Sequence, residues 1–246
     1  MHGGLIWRGR KSVGATGLSL SPHALKGATL AFDLDGTLVD TAPDLVGSLN
    51  AVLKEQGLPA LGLRTARVMV GRGARALIEQ GFSAAGAPLD ADQTPALVAR
   101  FITLYRDRVA LESRAFEGLD ACLDALAGAG AVLAVCTNKP TDLSFALLDA
   151  LNLTSRFAAV IGVDRAPAPK PDPRHLFTAI EAAGGRADRA IMIGDSAADI
   201  GAARAANVPS VVVSFGYTEI PAADLGADHL IDHFSELPAL AARILG

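Results

Sequence analysis

Asp33 and Asp35 close a short apolar run that begins at Leu30, and Gly36-Thr37 follows at once. The run, Leu30 to Leu34, is too short and too dense for a surface helix and reads as a buried parallel strand. A buried strand has no place for unpaired carboxylates. The pair must therefore sit at the strand's carboxyl end, where open α/β sheets bind their ligands. Two carboxylates so close repel unless something positive lies between them, and an oxygen-ligated divalent cation is the natural candidate. Gly36 allows the chain to turn and the backbone to approach a ligand. Alone, the string also fits a strand with an ordinary Asp-Gly turn.

Three more polar tips follow apolar runs later in the chain. Ala131 to Cys136 ends in Thr137-Asn138, and Ala190 to Ile193 ends in Gly194-Asp195-Ser196-Ala197-Ala198-Asp199. Ala158 to Gly162 leads into a proline-stiffened loop, Ala166 to Pro173, that presents Lys170. In a parallel sheet all these ends lie along one edge, so residues distant in sequence converge. The sum is several carboxylates for a hard cation, a hydroxyl and amides for phosphate oxygens, and one fixed positive charge. Those are the parts of a phosphoryl-transfer site. Each tip has a plainer reading as a turn, a solvated charge or a helix cap, but four such readings at four successive strand ends are improbable together.

The elements that position these tips alternate between strand and helix. Further strands are predicted at Ser210–Ser214 and His229–Ile231, with helices over 119–127, 143–151, 176–183 and 200–206 between the runs. That alternation predicts an α/β fold, a doubly wound parallel sheet with a Rossmann-like core. Residues 42–111 differ. Leu45, Leu49, Val52 and Leu53 form a helical stripe after Pro43-Asp44, and Leu97, Phe101, Leu104 and Tyr105 share one face of a pattern running from Thr94 to Leu111. This segment reads as an inserted helical cap with no strand of its own. The core is then discontinuous, 28–41 with 112–246. Residues 1–27, Gly- and Ser-rich with Arg8, Arg10 and Lys11, read as an unstructured basic tail.

Composition narrows the function. Aromatics are only 5% of the chain, which argues against a surface that stacks nucleic-acid bases. No apolar run reaches the roughly 18 residues of a membrane span. Cys122 and Cys136 have no metal-ligand spacing and are too few for a disulfide framework, as expected of a cytoplasmic protein. The net charge of −4 is unevenly spread: +4 over 1–27, +2 over 42–111 and −10 over the remainder. An acidic body holding a metal beneath a mildly basic segment suits an anionic substrate between them.

The order Asp-x-Asp-Gly-Thr, Thr-Asn, Lys-Pro, Gly-Asp-Ser-x-x-Asp resembles the haloacid dehalogenase superfamily in its phosphatase form across residues 28–246. Val70-Gly71-Arg72-Gly73-Ala74, Thr137-Asn138-Lys139-Pro140-Thr141 and Phe215-Gly216-Tyr217 resemble the branch that hydrolyses phosphoglycolate. The dehalogenating members lack the second aspartate of the first signature; its presence as Asp35 implies phosphatase chemistry. The resemblance implies that Asp33 attacks phosphorus to form an aspartyl-phosphate and that Asp35 protonates the leaving oxygen. Asp35 is then expected to begin protonated, its pKa raised by the anionic site. It also implies Mg2+ held by Asp33, the backbone carbonyl of Asp35 and Asp195. Thr37, Thr137, Asn138 and Lys170 would hold the phosphoryl group, supported from behind by Ser196 and Asp199.

The substrate expected is a small, carboxylate-bearing phosphate ester, with no nucleic acid or membrane partner, for a monomer or homodimer. Arg72, between two glycines, is the expected reader of that carboxylate, while Arg75 could lie along the following helix. Other readings are a phosphatase for another small ester or pyrophosphate, a phosphomutase, or a silent binding protein on the same fold. His229 and His233, four apart, could face together as metal ligands, but a strand end and a surface position are the preferred reading.

Overall fold

The structure is a computed structural model and describes residues 21, 23–218 and 220–246. Most of the segment expected as a basic tail, residues 1–20 and 22, lies outside the described residues. Its last part is packed: Leu25 is fully buried and donates its N–H to the Ala129 carbonyl at 2.9 Å.

The chain runs β1 (Thr29–Phe32), β2 (Val39–Asp40), α1 (Ala42–Glu55), α2 (Leu63–Arg67), α3 (Ala74–Ala84), α4 (Thr94–Arg106) and β3 (Arg114–Ala115). It continues through α5 (Leu119–Gly128), β4 (Val132–Cys136), α6 (Thr141–Ala150), β5 (Ala159–Ile161), α7 (Pro173–Ala182) and β6 (Ala190–Gly194). Last come α8 (Ala197–Ala206), β7 (Ser210–Val213), β8 (His229–Ile231) and α9 (Leu237–Leu245). Six strands form one parallel sheet in the order β5-β4-β1-β6-β7-β8.

Alternation along the strands explains the two helical layers. Leu30 and Phe32 point to one face and pack with α5, α6 and α9, whereas Ala31 points to the other and packs with α7 and α8. Neither face meets water, which is why the strands read as unbroken apolar runs. Register then fixes the site. Phe32 pairs with Val135 of β4 and with Ile193 of β6. One residue further on, three neighbouring strands end together, at the point where the strand order switches direction.

Helices α1 to α4 build a second core on the stripes expected from sequence: Leu45, Leu49, Val52, Leu53, Phe101 and Tyr105 are all buried in it. Phe101 and Tyr105, one helical turn apart, stack with ring centroids at 6.1 Å. Three features differ from expectation. Helix α4 stops at Arg106 instead of Leu111. A two-stranded antiparallel ribbon, β2 with β3, joins the two connections to the helical segment. Helix α9 closes one face with Leu237, Leu240 and Ala241. Among the described residues no helix is long and apolar enough to cross a membrane.

Candidate active site

Asp33 is the first residue beyond β1. Its N–H donates to the Ile193 carbonyl at 2.9 Å, so the backbone still runs with the sheet while the carboxylate turns off its edge. One carboxylate oxygen accepts the Leu34 N–H at 2.7 Å and lies 3.0 Å from Lys170 Nζ. Lys170 Nζ also donates to Asp199 Oδ1 and to the Cys136 carbonyl, both at 2.6 Å. Burial works against the charge on this lysine, but Asp199 and Asp33 outweigh it and raise its pKa, so it stays an ammonium.

Asp199 serves two structures at once. Its Oδ1 holds Lys170, while its Oδ2 accepts the N–H and hydroxyl of Ser196 at 3.0 and 2.6 Å. Ser196 is the N-cap of α8, and the two residues form a capping box. Asn138 fixes Lys170 from the other side. Its amide accepts the Lys170 N–H at 2.9 Å and donates to the Lys170 carbonyl at 3.2 Å.

Asp195 ends β6. Thr37 Oγ1 donates to one of its oxygens at 3.0 Å and the Tyr217 N–H to the other at 2.6 Å. A Cβ on Gly36 would lie 2.3 Å from an Asp195 oxygen, and one on Gly216 would lie 2.2 Å from Asp195 Cβ. Only glycine fits at either place. Single carboxylate oxygens of Asp33, Asp195 and Asp199 lie within 4.8 Å of one another, all buried. Burial first, then the neighbouring carboxylates, push the Asp33 pKa up to about 7 despite Lys170, and raise that of Asp195 well above its usual value. Such mutual repulsion is what a divalent cation relieves. The residues fit one: Asp199 has its oxygens engaged by Lys170 and Ser196, leaving Asp33 and Asp195 as the buried pair for it.

Asp35 has a cation against it: Lys139 donates to its two oxygens at 3.0 and 3.1 Å. Lys139 is buried, and its Nζ also sits 4.3 Å from the centroid of the Tyr105 ring. Lys139 stands in the Thr-Asn-Lys-Pro string, where nothing local signals this contact, and Tyr105 lies in a stripe whose spacing signals only burial.

Above the aspartates lies a small cavity of about 40 Å³, lined by Asp33, Asp35, Thr137 and Lys139 below and by Val70, Ala74, Leu77, Phe101 and Tyr105 above. The structure brings Asp33, Asp35, Thr37, Thr137, Asn138, Lys170, Asp195, Ser196 and Asp199 to one sheet edge. It does not bring Arg72 into this cavity. Arg72 is exposed and lines a neighbouring open groove with Lys170 and Ser196, which shares Val70 and Asn138 with the cavity. Arg75 pairs along α3 with Glu79 at 2.8 Å. His229 begins β8 and is exposed, and the half-buried His233 caps the turn after it.

Residues 30–213 match the family model of the haloacid dehalogenase-like hydrolases. The chain is 59% identical over 223 residues to the phosphoglycolate phosphatase of Caulobacter vibrioides, covering 91% of this chain and 94% of that one. It is 46% identical over 231 residues to the phosphoglycolate phosphatase of Agrobacterium fabrum, covering 94% and 97%. Its structure is similar to the crystal structure of a predicted phosphoglycolate phosphatase from Haemophilus somnus, with a TM-score of 0.79 and 29% identity, covering 87% of this chain and 97% of that one.

Proposed function

The chain belongs to the haloacid dehalogenase-like hydrolases, and on that premise we propose that it hydrolyses 2-phosphoglycolate to glycolate and inorganic phosphate. The observation that carries this reading is one juxtaposition. A buried carboxylate, Asp33, is paired with a buried ammonium, Lys170, and faces Asp195 beneath a cavity with room for only a small molecule. The relatives' activity supplies the substrate.

Asp33 attacks phosphorus, forming an aspartyl-phosphate as the bond from phosphorus to the glycolate oxygen breaks. Asp35 gives that oxygen its proton, then takes one from the water that attacks the aspartyl-phosphate, releasing phosphate and restoring Asp33. Lys170 stabilises charge on Asp33 and on the phosphoryl oxygens, with Asp199 and Asn138 fixing its position. Thr137 and the backbone of Asn138 hold phosphoryl oxygens, and Thr37 orients Asp195. Magnesium, held by Asp33, Asp195 and the Asp35 carbonyl, would neutralise charge on the phosphoryl group. The helical segment 42–111 roofs the site as a cap, shielding the intermediate from bulk water. Both cysteines are free and buried, in keeping with a cytoplasmic enzyme.

Phosphate release is measured across 2-phosphoglycolate, other small phosphomonoesters and pyrophosphate, with magnesium and with chelator. The reading predicts the highest kcat/KM for 2-phosphoglycolate and no turnover in chelator. A faster rate with another ester, or undiminished turnover without a divalent ion, contradicts it.

A further inference from the structure

We propose that Lys139, with the hydroxyl of Tyr105 beside it, is the binding site for the substrate's carboxylate and so determines specificity. This rests on the function proposed above and deepens it.

The phosphoryl-binding residues cannot distinguish one phosphomonoester from another, since they touch only what all such esters share. Discrimination must come from groups that meet the leaving alcohol. That alcohol departs toward Asp35, so the groups around Asp35 are the ones to examine. Most of the cavity wall there is apolar: Leu45, Val70, Ala74, Leu77, Phe101 and Leu143. Lys139 is the cation in that wall. Arg72, the cation expected from sequence, is exposed on a different groove.

Two features mark Lys139 and Tyr105 as waiting for a ligand. An ammonium has three donors, and Asp35 takes two hydrogen bonds from this one. The Tyr105 hydroxyl is buried and its neighbour Lys139 can only donate to it, so its own O–H finds no acceptor, an arrangement that costs stability unless something else meets it. A carboxylate is an acceptor with two oxygens. Placed on the leaving carbon next to the ester oxygen, it would reach Lys139 while that oxygen faces Asp35. The chemical class implied is a phosphate ester whose leaving group is a short 2-hydroxy acid. An apolar wall with one ammonium and one hydroxyl leaves a neutral leaving group unpaired, and unpaired buried donors are what enforce discrimination.

The test compares 2-phosphoglycolate with 2-hydroxyethyl phosphate, in which a hydroxymethyl group replaces the carboxylate. The readout is the ratio of their kcat/KM values in the wild type and in Lys139→Met. Effects on folding, or on Asp35, act on both esters and cancel in the ratio. The expected result is a fall in the ratio of about tenfold or more, the loss of a charge-assisted hydrogen bond, with Lys139→Arg retaining more of the ratio than Lys139→Met. An unchanged ratio overturns the inference while leaving the proposed function standing. A wild type that does not prefer 2-phosphoglycolate overturns the proposed function itself. Should Lys139→Met turn over neither ester, calorimetry decides. Asp33→Asn and Asp33→Asn/Lys139→Met proteins are titrated with 2-phosphoglycolate and with inorganic phosphate. A tenfold weakening confined to 2-phosphoglycolate supports the inference, and equal weakening of both overturns it.

Discussion

Asp195 is held by what its neighbours lack as much as by what they contribute. Thr37 and the Tyr217 N–H fix its two oxygens, and the absent side chains of Gly36 and Gly216 leave room for them. Gly36 also needs its freedom of φ, at +86°, but Gly216 has no such need, so its role is spatial. Gly216→Ala therefore drives a methyl group into the Asp195 side chain at its root, and Asp195 has to shift with its local backbone. The magnesium concentration giving half-maximal activity is expected to rise about 10- to 100-fold, the range for disturbing groups that orient a metal ligand, while circular dichroism stays native. An unchanged magnesium requirement would mean that Asp195 is not positioned by this contact. Lys139 is the complementary lesson. Its partner Asp35 is 104 residues away in sequence, and nothing local in a Thr-Asn-Lys-Pro string announces a buried ion pair.

At the scale of elements, the strands were legible because a parallel sheet buried on both faces requires unbroken apolar runs. Their polar tips were legible because a charge can end such a run but not interrupt it. That logic located Asp33, Asp35, Thr137, Asn138, Asp195 and Asp199 at one edge before any coordinate. It could not find the ribbon of β2 and β3, since two residues per strand carry no periodicity. Nor did it find α9, although Pro238 near its start and Leu237, Leu240 and Ala241 on one face carry helical spacing. The ribbon matters because both connections to the helical segment pass through it. Asp44, at the start of α1, fastens them together: its Oδ2 accepts the N–H of Glu112 at 2.9 Å, and the N–H and hydroxyl of Ser113 at 2.8 and 2.7 Å. Asp44→Ala leaves those donors unpaired. We expect a loss of about 3 kcal/mol or more in urea unfolding, with faster amide exchange at residues 112–113. Native exchange there would show that the connections are held by other contacts.

The whole molecule carries a pH dependence that the active site does not explain. His175 on α7 is fully buried, with Nε2 3.2 Å from the Ile161 carbonyl. Burial first, and then Lys170, lower its pKa from 6.5 to about 4. An unfolded chain binds that proton below pH 6.5 and the folded one does not, so stability falls as pH drops from 6.5 toward 4. Between pH 7 and 5 the wild type should lose roughly 1–2 kcal/mol more than His175→Gln, in urea unfolding at each pH. Equal losses would assign the acid sensitivity to other groups. Catalysis makes a demand on the molecule as a whole, since sheet edge, proline-stiffened loop and helical roof must together turn Asp33, and not Asp35, into the nucleophile. The direct measurement is mass spectrometry of protein quenched in acid during turnover of 2-phosphoglycolate. The account predicts one phosphoryl group on the peptide holding both aspartates, located at Asp33 by fragmentation and absent from Asp33→Asn. Phosphate on Asp35 or on any other side chain would contradict it.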